Sequence, residues 1–287
     1  MGLNWAASIK NTHDVTLGVH HRRVQLPGLD SQKLSLDSVD NFLQNLDLIQ
    51  PDYVVHAAGL ASVELCEEKP DLAHHVNVEL AENVARACAL RGIQLAHIST
   101  DHLFRGDLAL LNEDAQTNPV NIYGKTKAKA ELCVQDIYPE ALVIRTNFYG
   151  WGTSYRQSFS DWVLSNLRRS HPITLFNDIF YTPIYIERLV QIVHQLFERF
   201  ATGTFHLVGD ERVSKYEFAM QLASIFDLNS DLISIGSINS QPNFVVRPHD
   251  MSLSNEKVSK ELDILVGGIK EHILLMKQSY FSELEAI

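Results

Sequence analysis

The sequence contains little cysteine, and its three cysteines are widely spaced. Cys66, Cys88 and Cys133 form no C-x-x-C pair and have no histidine array beside them. This excludes a disulfide framework and a cysteine-based metal site, and it is typical of a protein from a reducing compartment. The adjacent histidine pairs His20-His21 and His74-His75 point in different directions on any regular element. We therefore expect a cytoplasmic protein without a catalytic metal.

The sequence also lacks long apolar runs and an excess of positive charge. No segment approaches the length of a membrane span, and the first residues do not have the basic and apolar regions of a signal peptide. Met1-Gly2 begins a myristoylation pattern, but Ala6 stands where Ser or Thr is required. With 24 Lys and Arg against 35 Asp and Glu, the net charge of −11 disfavours nucleic-acid binding. Neither a membrane nor a nucleic acid is an expected partner.

Short apolar segments alternate with amphipathic segments along the chain. The strand-like segments are 15–19, 53–58, 94–99 and 141–145, and the helical ones include 39–48 and 71–91. In the second helix, apolar residues from Leu72 to Cys88 recur every four positions and predict one buried stripe. The alternation predicts an α/β fold with a doubly wound parallel sheet of the Rossmann type. The pattern changes near residue 150, so we expect one domain at 1–150 and a smaller α/β lobe at 151–287.

Tyr123 and Lys127 stand four residues apart in a segment of helical character, and Thr100 follows a predicted strand. Four residues are about one helical turn, so the two side chains lie on the same face. A lysine ammonium favours the phenolate and lowers the pKa of a nearby phenol, which then exchanges protons near neutral pH. A threonine hydroxyl would steady the same oxygen. These groups suit carbonyl reduction by a nicotinamide, in which tyrosine supplies the proton, although this spacing is also common on solvated helix faces.

Other segments flank this pair in a fixed order: Tyr53-Val54-Val55-His56-Ala57-Ala58-Gly59, His97 to Gly106, Glu113-Asp114, Pro119 to Lys127, Glu131, and Arg145-Thr146-Asn147. With these segments the chain resembles the extended short-chain dehydrogenase/reductases, and within them the dTDP-4-dehydrorhamnose reductase group of sugar-nucleotide reductases. The resemblance runs from about Gly2 to Leu262. It implies that 1–150 binds NAD(P) and that 151–287 mainly binds substrate. It also implies that Tyr123 is the proton donor, Lys127 its pKa modulator and ribose anchor, and Thr100 the oxyanion hydroxyl.

The start of the sequence lacks the apolar strand and glycine-rich turn that normally begin a dinucleotide-binding fold. Residues 1–9 resemble the segment after the first two glycines of that motif, so Gly2 would be its last glycine. Two interpretations stay open: an incomplete chain that begins upstream, which we favour, and a natural short form with weak cofactor binding. In both, we expect a sheet without its usual first strand, weak NADP(H) binding and little or no reductase activity from this polypeptide.

The resemblance also marks residues for the cofactor. Ala57-Ala58-Gly59 ends a strand with small residues, which would let the adenosine and nicotinamide ribose lie against the backbone; close helix–strand packing is the competing explanation. Arg22 and Arg23 follow the first predicted strand, where an NADP site carries arginine and an NAD site an acidic residue. A solvated basic turn explains them equally well. Ser99, beside Thr100, is expected to point inward and support the strand end. We expect NADP(H) rather than NAD(H).

Six further residues are implied on the substrate side: Asp101, His102, Asn147, Arg156, Lys215 and Arg247. His102 replaces the usual tyrosine of the family, and Asn147 begins an Asn-Phe pair where Ser-Trp is typical. Arg156, Lys215 and Arg247 are candidates for the diphosphate, since guanidinium and ammonium groups bind phosphate. Arg247 matches best because Pro248 follows it, as in the family. Simple solvation is the alternative for each of these cations.

The first hypothesis is NADP(H)-dependent reduction of a nucleotide-linked 4-keto sugar. A sugar-nucleotide 4-epimerase uses the same fold and the same three residues, and cofactor consumption separates the two. The alternative from another class is a non-catalytic subunit that binds sugar nucleotide or NADP, because the resemblance extends to the regulatory β subunit of methionine adenosyltransferase. The missing glycine-rich turn favours this alternative, and the intact Thr100, Tyr123 and Lys127 oppose it. The expected partner is a nucleotide sugar, and a homodimer is left open.

Overall fold

The computed structural model describes residues 1–20, 24, 28–153, 157–240 and 244–285. The elements up to residue 145 are α1 (Gly2–Ile9), β1 (Thr16–Val19), β2 (Asp30–Lys33), α2 (Val39–Ile49), β3 (Tyr53–His56), α3 (Val63–Glu68), α4 (Pro70–His74), α5 (Leu80–Arg91), β4 (Gln94–Ile98), α6 (Ile122–Ile137) and β5 (Leu142–Arg145). A π-helical turn, His75–Glu79, joins α4 to α5.

The later elements are β6 (Phe148–Tyr149), α7 (Phe159–Arg168), β7 (Ile173–Phe176), β8 (Phe180–Tyr181), β9 (Ile184–Tyr185), α8 (Ile186–Glu198), β10 (Gly203–His206), β11 (Val213–Ser214), α9 (Lys215–Ile225), β12 (Ile233–Gly236), α10 (Glu256–Leu262) and α11 (Ile269–Glu285). Two compact units interleave along the chain. The first contains Met1–Leu103, Thr117–Arg145 and Val190–Phe205, and the second contains Phe104–Gln116, Thr146–Leu189 and His206–Ile287. The binding roles predicted for 1–150 and 151–287 stay predictions.

The first unit is built on a four-stranded sheet in the order β10-β5-β4-β3. Strands β3, β4 and β5 are parallel, and their register pairs His56 with His97 and Ile98 with Ile144. Each strand is a short apolar run followed or preceded by an amphipathic helix, which is why the chain returns to the same edge each time. The predicted parallel α/β fold is confirmed.

Strands β1 and β2 form a separate parallel pair. In the part of the chain that the structure describes, no strand joins this pair to the four-stranded sheet. Tyr53, Val54 and Val55 of β3 are consequently only half-buried, whereas β4 from Leu95 onward and the whole of β5 are buried. Among the described residues the four-stranded sheet therefore ends at β3, with a break between it and the β1–β2 pair.

Aromatic side chains pack beside this break. The ring of Tyr53 stacks on Phe197 with 4.7 Å between the ring centroids. The indole of Trp5 donates a hydrogen bond of 3.2 Å to Nε2 of His194. Burial lowers the pKa of His194 to about 4, so its ring is neutral and can accept this bond. Side-chain packing thus ties α1 to α8 within the first unit.

Helices α2, α5 and α6 bury one core, and α5 fits between its neighbours because its buried face is rich in alanine. Ala81, Ala85 and Ala87 are completely buried, as is Cys88. Burial raises the pKa of the Cys88 thiol to about 12, so this cysteine is an inert apolar residue. No helix in the described part of the chain is both long enough and apolar enough to span a membrane.

The predicted burial of Leu72 is wrong, since its side chain is 42% exposed. The π-helical turn that follows α4 adds a residue to the helical repeat and rotates the preceding turn. Ala73, Asn77 and Val78 face the interior instead. A regular four-residue spacing therefore describes only the part of this helix after residue 80.

Candidate active site

Ser99 and Thr100 follow β4 directly, and both are buried. The Ser99 amide donates to the carbonyl of Ile144 at 2.7 Å, which extends the β4–β5 ladder by one bond. Beyond it the chain turns. The Thr100 hydroxyl donates to Oδ1 of the buried Asp101 at 3.2 Å and accepts from the His102 amide at 3.3 Å. Thr100 is therefore held in one orientation at the carboxyl end of the sheet.

Helix α6 carries Tyr123 and Lys127. It begins after Asn121, whose side-chain oxygen accepts from the Gly124 amide at 2.8 Å and satisfies a donor that the helix leaves unpaired. The ring of Tyr123 lies edge-on to that of His102, with 5.6 Å between centroids. The structure thus brings the phenol beside the turn that contains Thr100.

Gly124 permits this approach. A Cβ at this position would overlap the carbonyl oxygen of His102 and lie 2.8 Å from Cβ of Pro119. Real Cβ atoms are not found that close to other heavy atoms, so helix and turn would have to separate. Gly124 lies inside the Tyr-x-x-x-Lys segment, but no pattern in the sequence predicts its role.

We expect Gly124→Ala to displace Tyr123 from the Thr100 turn. The overlap should lower the free energy of unfolding by about 1–3 kcal/mol, less the gain of up to about 1 kcal/mol in helix propensity. Denaturant unfolding checks this result. Gly2→Ala is the matched control, because a Cβ there meets only the Leu17 side chain at 3.7 Å. Equal stability of the two variants would contradict the expected overlap.

Lys127 is buried and lies one helical turn after Tyr123 on α6. Its Nζ donates to the carbonyl of Ile98 at 2.7 Å and lies 3.2 Å from Nε2 of His97. Nδ1 of His97 lies 3.0 Å from Nδ1 of His56, the residue paired with it on β3. Burial lowers the pKa of Lys127 to about 8, although the carboxylate of Glu131 acts in the opposite direction. His56 and His97 were not predicted as site residues from the sequence.

Glu131 stands one turn after Lys127 and forms a buried ion pair with Arg145 of β5. The guanidinium Nε lies 3.1 and 3.0 Å from the two carboxylate oxygens, and Nη2 lies 2.8 Å from Oε2. Neither side chain exceeds one tenth exposure. Such a fork fixes α6 against β5 in angle as well as distance.

Asn77 is a further polar residue that the sequence analysis missed. Its Oδ1 accepts from the Leu60 amide at 2.7 Å, and its Nδ2 donates to the Leu60 carbonyl at 3.2 Å and to Oγ1 of Thr126 at 3.0 Å. Asn77 thereby fixes the loop after β3 to helix α6. A buried asparagine between apolar residues of a predicted helix was the available signal.

The small residues after β3 form an accessible loop at the carboxyl edge of the sheet. Ala57 is half-buried, and Ala58 and Gly59 are exposed. This backbone suits a ligand that lies flat against it. Gly2, the other small residue predicted for the cofactor, is the first residue of α1.

The remaining predicted residues fall in two groups. Asn147, Lys215 and Arg247 belong to the second unit. The Asn147 carbonyl accepts a hydrogen bond from the Ile184 amide at 3.0 Å. Nζ of Lys215 lies 3.3 Å from the ring centroid of Tyr181, and the Arg247 guanidinium lies 5.8 Å from the ring centroid of Phe244. Lys215 thus makes a cation–π contact. Arg22, Arg23 and Arg156 lie outside the described residues.

The second unit also contains a pocket of about 390 Å³ at the start and along one face of α7. Its lining includes Trp151, Asp161, Arg168 and Arg169. Asp161 is the capping-box partner of Ser158, and Arg168 and Arg169 contribute two positive charges to this lining. Neither arginine was predicted as a site residue from the sequence. Within the described residues, no cluster of three His, Cys, Asp or Glu side chains could hold a metal ion.

Comparison with known proteins gives a consistent result. The sequence profile of the family described as the RmlD substrate binding domain matches residues 13–280. The chain is 26% identical over 277 residues to the probable low-salt glycan biosynthesis reductase Agl14 of Haloferax volcanii, covering 95% of this chain and 92% of that protein. It is 28% identical over 233 residues to the dTDP-4-dehydrorhamnose reductase of Salmonella typhimurium, covering 76% of each.

A third relative is of a different kind. The methionine adenosyltransferase 2 subunit beta of Bos taurus is 32% identical over 192 residues, which cover 63% of this chain and 56% of that protein. Among solved structures, the dTDP-4-dehydrorhamnose reductase of Bacillus anthracis in complex with NADP superimposes with a TM-score of 0.81 at 23% identity, over 88% of this chain and 90% of that one. A hypothetical dTDP-4-dehydrorhamnose reductase from Sulfolobus tokodaii gives 0.79 at 25% identity, over 93% and 92%.

Proposed function

Because the chain belongs to the RmlD substrate binding domain family, we propose that it catalyses the NADP(H)-dependent reduction of a nucleotide-linked 4-keto sugar. The observation that carries this proposal is the placement of Thr100, Tyr123 and Lys127 at one end of β4. The relatives named as reductases support the reaction class.

The exposed backbone of Ala58 and Gly59 fits a flat ligand beside the same edge of the sheet, which is where we place the cofactor. When bound, the nicotinamide would supply the hydride. The side chains of this chain supply the rest. The phenol of Tyr123 gives its proton to the carbonyl oxygen, and the positive charge one helical turn away on Lys127 stabilises the phenolate that is left.

Thr100 completes the arrangement by a rotation of its hydroxyl. In the structure that hydroxyl donates to Asp101 and accepts from the His102 amide. The amide fixes the oxygen, and the proton can turn from Asp101 to a substrate oxygen without movement of the backbone. Thr100 would then stabilise the oxygen on which negative charge develops.

The direct test supplies the purified chain with NADPH and a dTDP-linked 4-keto sugar, and follows both the reduced nicotinamide and the sugar product. A reductase consumes one NADPH for each hydroxyl formed. Interconversion of 4-epimers without net consumption of NADPH would assign an epimerase instead. Because little activity is expected without the glycine-rich turn, the same assay is run on a chain extended at its start by the family's first strand and glycine-rich turn. Failure of both chains to alter the sugar would reject both reactions.

In a chain extended by the family's first strand and glycine-rich turn, we expect Arg22 and Arg23 to select NADPH over NADH, although both lie outside the described residues. Charge-assisted hydrogen bonds of ~1.5–3 kcal/mol to the 2′-phosphate predict a preference of roughly ten- to hundredfold. The Arg22→Ala/Arg23→Ala variant should lose this preference, as measured by the Kd of each cofactor. Arg86→Ala, which removes an exposed arginine from α5, is the matched control. Equal affinities in the unsubstituted chain would assign the pair to a solvated turn.

A non-catalytic subunit is the second candidate, and one observation favours it. The chain is 32% identical over 192 residues to the methionine adenosyltransferase 2 subunit beta. This candidate predicts that the chain binds NADPH or sugar nucleotide without turnover. Calorimetric titration with each ligand, beside the turnover assay, separates it from the reductase.

Two coarser properties accompany the proposal. We place the protein in the cytoplasm, because Cys66, Cys88 and Cys133 are all free thiols, as expected in a reducing compartment. We leave the oligomeric state to sedimentation of the purified chain, with a homodimer as the state to be tested.

A further inference from the structure

The first unit contains two buried histidines, His97 and His56, that the proposed proton transfer does not use and that lie in line with Lys127, which it does use. The line runs from Lys127 through His97 to His56, with contacts of 3.2 and 3.0 Å. All three side chains are at most 5% exposed. Two imidazoles and an ammonium are costly to bury, and apolar residues would pack here at less cost.

The position of each proton in this line follows from the chemistry of the ammonium. A charged lysine only donates, so Nε2 of His97 must be the acceptor. Burial, together with the positive charge of Lys127, lowers the pKa values of both histidines, and that of His56 falls to about 3. Each ring therefore carries one proton. In His97 that proton is on Nδ1, where it is donated to Nδ1 of His56, and the proton of His56 is then on Nε2.

The line ends at His56. Its Nε2 is buried and has no hydrogen-bond partner among the described residues. A buried donor of this kind costs about 1–3 kcal/mol. Because burying these groups costs stability, we look for the role of the two histidines in their effect on Lys127.

We propose that His97 and His56 are positioning residues for the reaction: they hold the Lys127 ammonium at the end of β4 by a hydrogen-bond chain of fixed proton order, and they set the pH at which Lys127 loses its proton. This inference rests on the proposed function for its catalytic consequence. The groups that face Lys127 are His97 and His56 from the sheet and Glu131 from its own helix, with Arg145 behind Glu131.

The two histidines have different roles. Nε2 of His97 accepts one ammonium proton while the Ile98 carbonyl accepts another, so the ammonium has two fixed acceptors. His56 holds the proton of His97 on Nδ1 and keeps Nε2 open as an acceptor. Without His56, the two proton positions of His97 become closer in energy, and the alternative presents an N–H to the ammonium.

The test measures the pH dependence of Lys127 in two ways, by kcat over the alkaline range and by NMR titration of lysines labelled at Cε. His97→Leu removes an acceptor from a charged donor, so both midpoints should fall by about one to two pH units. His97→Gln retains an acceptor oxygen, so its midpoint should lie close to that of the unsubstituted chain. His56→Leu should move the midpoint in the same direction as His97→Leu but by less.

A role in packing alone predicts a different result, in which His97→Leu leaves the midpoint unchanged, or shifts it as much as His97→Gln does. Either finding would overturn the proposal. Imidazole ¹H–¹⁵N correlation spectra of the unsubstituted chain give a test that needs no variant to fold. They should show the proton of His97 on Nδ1 and that of His56 on Nε2, and the opposite order would overturn the proposal. If the protein shows this proton order and the lysine shifts but no turnover, with or without the family's first strand and glycine-rich turn added, the reductase is rejected and the hydrogen-bonded line from Lys127 to His56 is supported.

Discussion

In a chain extended by the family's first strand and glycine-rich turn, Tyr123→Phe is expected to reduce kcat by roughly 10²–10⁴-fold while the Kd values for NADPH and sugar nucleotide change little. The substitution removes one hydroxyl and retains the ring that lies against His102. Proton donation to the carbonyl oxygen then has to come from water. Single-turnover measurement of NADPH oxidation, with calorimetric titration of each ligand, checks both parts of this expectation.

The controls separate loss of the proton from loss of the fold. Tyr216→Phe removes a phenol hydroxyl from a half-buried position on α9 and should leave turnover unchanged. Lys127→Met should weaken turnover and NADPH binding together, because we assign the ammonium both to the phenolate and to the ribose. Near-normal turnover of Tyr123→Phe would remove the central claim of the proposed function. Parallel loss of affinity and kcat in that variant would indicate a structural role for the hydroxyl.

The elements that the sequence predicts well are those fixed by neighbours in the chain. The apolar runs at 53–58, 94–99 and 141–145 contain β3, β4 and β5, because a parallel sheet covered by helices demands such runs. The helix predicted for Tyr123 and Lys127 is likewise present, and both residues lie on α6, one turn apart.

The features that the sequence does not predict depend on contacts between distant segments. His97 lies among apolar residues on β4, and only the register of the two strands places it against His56. Asn77 binds the loop after β3 because a π-helical turn rotates it inward, and no local pattern predicts that turn. The predicted burial of Leu72 is wrong for the same reason. Gly124 has meaning only once the His102 carbonyl lies against α6.

Glu131→Gln is expected to lower the free energy of unfolding by about 3–5 kcal/mol, because it leaves the buried guanidinium of Arg145 without a counter-charge. Denaturant unfolding measures this loss. The double variant Glu131→Leu/Arg145→Met is the control, since it removes both charges and fills similar volume. It should recover most of the stability. A loss in the double variant as large as in Glu131→Gln would show that the packing of these side chains, and not the buried charge, carries the effect.

Neither variant should recover the proton affinity of Lys127, because the Glu131 carboxylate is the group that opposes burial there. Burial lowers the pKa of Lys127 from 10.5 in the unfolded chain to about 8. Between these values the unfolded chain binds more protons than the folded one, so this group makes the folded state more stable as pH rises through that window. Loss of Glu131 should extend the window to lower pH in both variants. The free energy of unfolding, measured over the alkaline range, would then separate the two roles of Glu131. The double variant should restore the free energy of unfolding at neutral pH but keep the widened pH dependence. An unaltered window in either variant would contradict the assigned influence of Glu131 on Lys127.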